Sequence, residues 1–88
     1  MKHRPPITLH LDELPDGAPA VVRAITESGP CLDASHRRRL AELGFLPGEP
    51  VQVLRRGPGG REPLAVRIGD AVFALRLAEA HHIAVSPA

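Results

Sequence analysis

Eighty-eight residues with a formal net charge of +1 and 43% apolar side chains suffice for one compact core and no deep pocket, since a chain this short buries only about 60–65% of its unfolded surface. A charge so near zero argues against general nucleic-acid binding, which needs a basic face to displace counterions. Two Phe with no Trp or Tyr argue against the aromatic platforms that stack single-stranded nucleic acid or hold Pro-rich peptides.

The basic start, Met1-Lys2-His3-Arg4-Pro5-Pro6, is not followed by the apolar stretch of a signal peptide. No apolar run approaches the roughly 20 residues of a membrane span. The expected location is therefore the cytoplasm, without direct membrane insertion; any membrane association would come through a partner. Cys31 is the single cysteine, which excludes an internal disulfide and fits a reducing compartment.

Residues 1–8 are polar and Pro-rich and read as a loosely held tail, leaving 9–86 as one domain. Leu9, Leu11 and Leu14 lead into Pro15-Asp16-Gly17, a turn sequence. Residues 18–26, with Val21, Val22 and Ile25, read as the first strand, broken at Ser28-Gly29-Pro30. Asp33 is a suitable N-cap for a helix over 34–43. Leu32, His36, Leu40 and Leu43 would form its apolar face, and Gly44 would sit just past its end. Pro47-Gly48 predicts a turn, and Val51 and Val53 mark a second strand over 49–56.

Gly57-Pro58-Gly59-Gly60-Arg61 reads as a loop. A third strand over 63–68 follows, with Leu64, Val66 and Ile68 facing one way and Ala65 and Arg67 the other. Gly69-Asp70 is a two-residue hairpin turn into a fourth strand over 71–77. A helical turn over 78–82 and a closing strand over 83–85 complete the chain. The pattern predicts a mostly β fold with one or two short helices, a partly open small barrel of about five strands. The expected core is Val22, Ile25, Leu40, Leu43, Val51, Val53, Leu64, Val66, Ile68, Phe73, Leu75 and Val85.

Nothing in the sequence has the pattern of a catalytic site, and the chain reads as a binding protein rather than an enzyme. The Gly57–Gly60 loop joins strand to strand, so no helix N-terminus waits there for a phosphate. Cys31 precedes a helix start, which lowers a thiol pKa, yet a small side chain before a cap is the simpler reading. Tetrahedral zinc needs three or four converging ligands, whereas the adjacent His81 and His82 point about 100° apart in a helical turn. No dedicated metal site or required cofactor is read. Cys31, His36, His81 and His82 are the residues that could hold an adventitious or interface-bound zinc or iron. The run Arg37-Arg38-Arg39 is in the first instance a solvated helix face. Its sharper reading is a docking patch of Arg37 and Arg38 for an acidic partner, extended by Arg55, Arg56 and Arg61 around the Gly-rich loop.

The stretch Arg38-Arg39-Leu40-Ala41-Glu42-Leu43-Gly44-Phe45-Leu46-Pro47-Gly48 resembles the R-R-L-x-E-L-G-hydrophobic-x-P-G signature of the FeoA family. Val51 to Pro58, Glu62 to Gly69, Phe73 to Arg76, and the opening Leu11-x-x-Leu14-x-x-Gly17 with Ala20-x-Val22-x-x-Ile25 resemble the same family in the same order, over about residues 9–85. The resemblance implies an SH3-like barrel and a cytoplasmic accessory protein of bacterial ferrous-iron uptake. It implies action on the FeoB membrane transporter, which carries a GTP-binding domain, through its transport or GTPase activity. The same fold closes iron-dependent repressors of the DtxR type, which keeps a metal-sensing or dimerising regulatory domain as the alternative. No helix-turn-helix precedes it in this sequence. A homodimer is compatible with the sequence.

Overall fold

The computed structural model describes residues 9–26 and 34–88. The first helix, α1 (Ala34–Leu43), falls where its spacing and the glycine after it place it. Its end is a Schellman motif: Gly44 N–H donates to Ala41 O (3.0 Å) and Phe45 N–H to Leu40 O (3.2 Å). Gly44 takes φ +114°, a backbone angle that a Cβ would oppose. The reversal drops Phe45 against Leu40, and both are buried. The expected apolar stripe is corrected here. His36 is exposed, Leu43 is half-buried, and Leu40 carries the buried contact of the helix. Leu32, the Asp33 cap and the 1–8 tail lie outside the described residues.

Six antiparallel strands form one sheet, in the order β1-β6-β2-β3-β4-β5. They are β1 (Leu9–His10), β2 (Pro19–Ile25), β3 (Pro50–Gly57), β4 (Arg61–Ile68), β5 (Ala71–Leu75) and β6 (Ile83–Pro87). In β4, Leu64, Val66 and Ile68 are buried while Arg67 is exposed. In β3, Val51 and Val53 point inward on the same period of two. Irregularities between Val22 and Ala24 and between Val53 and Arg55 add the local twist that coils so small a sheet.

Two features depart from the expected five strands. β1 is an additional two-residue strand paired with β6, Leu9 opposite Val85 and His10 opposite Ala84. A 3-10 turn over Leu11–Glu13 then carries the chain away. The fourth strand stops at Leu75, and Leu77 instead opens a second helix, α2 (Leu77–His81), where it is 37% exposed. The cause is local. Arg76 N–H donates to the Glu79 carboxylate (2.9 Å) and Leu77 N–H to the Glu62 carboxylate (2.6 Å), so these amides leave the ladder. The 57–61 loop contains a 3-10 turn, Pro58–Gly60.

The core holds nine of the twelve expected residues; Ile25, Leu43 and Phe73 pack at its margin. Leu11, Leu14, Phe45, Ala80 and Ile83 join it. Leu11, Leu14 and Phe45 come from turns and links between the longer elements, and Ala80 and Ile83 from elements too short to show a period, so only the coiling of the sheet buries them.

Candidate partner-binding surface

The arginines singled out from the sequence separate into three situations. On α1, Arg37 is half-buried and Arg38 is exposed. Arg39 reaches Glu79 of α2 at 3.5 Å, with side chains 64% and 15% exposed, a pair too wet to hold the helix strongly.

Arg56 turns inward. Its Nη2 donates to Asp12 O (2.8 Å) and Leu14 O (2.9 Å), and its Nη1 meets the Asp16 carboxylate. Three acceptors from the 12–16 segment thus converge on one guanidinium, whose forked donors suit such a task. Arg56 ties the end of β3 to the segment between β1 and β2, and Gln52 ties the start of β3 to it through an amide that donates to Gly17 O at 2.6 Å.

Arg55 and Arg61 face solvent at the β3–β4 tip, where Gly57 pairs with Arg61. An open groove of about 500 Å³ runs here, lined by Arg55, Arg56, Pro58, Pro63, Ala65 and Ala74. Its floor follows from register. Arg55 lies opposite Ala65, and Ala65 opposite Ala74, so two small side chains in a row leave a trough beside an arginine. The groove offers an apolar floor with a cationic edge, which fits an extended segment bearing carboxylates.

The two C-terminal histidines differ in role. His82 is 3% exposed. Its Nδ1 lies 3.2 Å from Thr26 O, and Thr26 N–H donates to His82 O at 2.7 Å. With Nδ1 as the donor, His82 is a satisfied core residue joining α2 to the end of β2. His81 is exposed; its Nδ1 lies 3.2 and 3.3 Å from the Asp12 carboxylate oxygens. Its ring stacks on His10 with centroids 4.3 Å apart. Sequence reasoning overlooked His10 and Asp12, because only folding brings residues 10 and 12 to residue 81. Near-parallel stacked rings direct their nitrogens alongside one another rather than toward a common point. Among the described residues, no three His, Cys, Asp or Glu side chains are placed to hold a metal ion. Cys31 lies outside the described residues. No described helix is long and apolar enough to cross a membrane.

The FeoA domain model matches residues 9–87. The crystal structure of Stenotrophomonas maltophilia FeoA, described as a prokaryotic SH3-domain protein and complexed with zinc, is 44% identical, covers 89% of each chain and superposes with a TM-score of 0.77. FeoA from Chlorobium tepidum is 32% identical over 90% of this chain and 70% of its own, with a TM-score of 0.77. A manganese-dependent transcriptional repressor reaches a TM-score of 0.80 at 24% identity, covering 97% of this chain and 44% of its own, which shows a shared fold. No curated protein matches the chain in sequence. The open, coiled sheet with its two short helices is thus an SH3-like fold, and by the match over residues 9–87 this chain belongs to the FeoA family.

Proposed function

We propose that this protein is a non-enzymatic, cytoplasmic accessory of ferrous-iron uptake that binds a FeoB-type transporter and modulates its transport or GTPase activity. Membership of the FeoA family across residues 9–87 carries this reading. The FeoA of S. maltophilia is itself described in connection with activating ferrous iron transport. Residues 9–86 would act as one docking unit. The groove between Arg55 and the 57–61 turn would take an acidic segment of the transporter's cytoplasmic part, with Arg61, Arg37 and Arg38 as further cationic contacts. Arg56 would act from behind, because its donors are engaged with the 12–16 segment.

The test is binding of the purified protein to detergent-solubilised transporter, with and without a GTP analogue and with chelator present. Saturable binding in chelator, weakened by Arg55→Glu, is the expected result. Binding that appears only when zinc or ferrous iron is returned would replace this reading with a metal-dependent regulatory one.

A further inference from the structure

The outer edge of β5 carries a surface that meets the groove only at Ala74. Among the described residues the sheet ends at β5, and no strand pairs with its far side. A two-residue turn makes its flanking pair, Ile68 and Ala71, a hydrogen-bonded one. Ala71, Phe73 and Leu75 therefore spend their amides and carbonyls on β4, and Val72 and Ala74 turn theirs outward. The side chains of Val72, 53% exposed, and Ala74 stand on the solvent face. A free edge of five uncharged residues lacks the lysine, proline or inward charge that usually blunts such edges. Asp70 and Arg76 close it at its two ends, both exposed.

We infer that β5 pairs with β5 of a second copy of this chain, antiparallel about a two-fold axis through Phe73. The register follows from three features that agree. Centring on Phe73 sets Val72 opposite Ala74 of the partner subunit, twice over. Those are the residues whose N–H and C=O point outward, so the edge gains two hydrogen-bonded pairs. The same register sets Asp70 opposite Arg76 of the partner subunit, again twice, so each end closes on opposite charges. It also brings the two Phe73 rings side by side on the core face, where Phe73 already lies 6.4 Å from Phe45 between ring centroids. Centring on Val72 or Ala74 keeps the outward parity but breaks both charge pairs. A two-fold axis makes the interface isologous and closed, so pairing stops at the dimer. About five residues per copy is far below a standard interface, so association is weak and concentration-dependent. The inference concerns the isolated protein and stands apart from transporter binding.

Sedimentation of the full chain under reducing conditions tests it, with reductant excluding a Cys31 disulfide. The mass should rise from the 9.4 kDa monomer toward twice that value between about 10 µM and about 1 mM, the range of a weak contact. D70R alone and R76D alone should each weaken association about tenfold, since both place like charges opposite one another. An equimolar mixture of the two variants should dimerise again, because each supplies the charge the other lacks; this rescue also shows that both fold. Amide exchange at Val72 and Ala74 should slow with concentration, while that of Phe73 stays unchanged. A monomer over the whole range, a dimer indifferent to D70R, or a mixture without rescue would each overturn the inference.

Discussion

At the scale of single residues, position in the fold separates side chains that composition treats alike. His81 and His82 are neighbours, yet His82 is buried with its Nδ1 at Thr26 O, while His81 is exposed beside Asp12. Replacing His82 with Ala leaves the Thr26 carbonyl without its partner and opens a cavity. The expected cost is about 2–4 kcal/mol, from a buried unmet hydrogen bond and lost packing. His81→Ala, on the surface, should cost below about 1 kcal/mol. Urea unfolding of the two variants at unchanged m-value gives the comparison. The sequence shows two adjacent histidines near a helical turn; it does not show which faces the core, because a five-residue helix has too little period to assign a face.

At the scale of elements, α1 is held through its end rather than along its length. Leu40 and Phe45 meet across the Schellman turn and both are buried, while Leu43 is half-buried. Phe45→Ala should therefore cost about 3–5 kcal/mol and Leu40→Ala about 2–5, with Leu43→Ala clearly less than Leu40→Ala. Equal losses at Leu40 and Leu43 would show that the helix packs on a different face. The β3–β4 tip depends on a close approach. A Cβ on Gly57 would stand 2.3 Å from Glu62 O and 2.7 Å from its carbonyl carbon, backbone atoms that cannot turn aside. Gly57→Ala should thus part the tip strands and cost more than about 2 kcal/mol, well beyond the ordinary surface change of about 0.5 kcal/mol. It should also reduce amide protection around Arg61 before the rest of the sheet. The need for glycine at 57 is invisible in sequence, where it is one of several in a loop.

At the scale of the whole molecule, a net charge of +1 hides an uneven surface. Arg38, Arg55 and Arg61 are exposed, whereas Arg56 is engaged by the 12–16 segment and Arg39 by Glu79. Docking through the exposed set is expected to slow several-fold in association rate when salt rises from about 0.05 to 0.3 M, with dissociation less affected. Surface plasmon resonance on immobilised transporter reads both rates. Arg55→Glu should flatten that salt dependence. Arg56→Ala should act mainly on stability, lowering the urea midpoint of the isolated protein. A salt-insensitive association rate would remove the arginines from the docking surface.

Local rules carried much of the reading. The α1 bounds, the Gly44 cap, the alternation of Leu64, Val66 and Ile68, and the turn at Gly69-Asp70 each follow from contacts within a few residues. The family signature from Arg38 to Gly48 lies in one continuous stretch, so it too is legible without a fold. Tertiary structure alone decided the pairing of β1 with β6, the burial of Leu11, Leu14 and Ile83, and the stack of His10 on His81. It alone turned Arg56 inward and left Arg55 at the groove, two adjacent arginines with opposite roles. The physical reason is range. Helix caps and strand alternation are fixed by neighbouring residues, whereas a sheet brings together residues more than 70 positions apart, and burial or charge pairing exists only once it has done so.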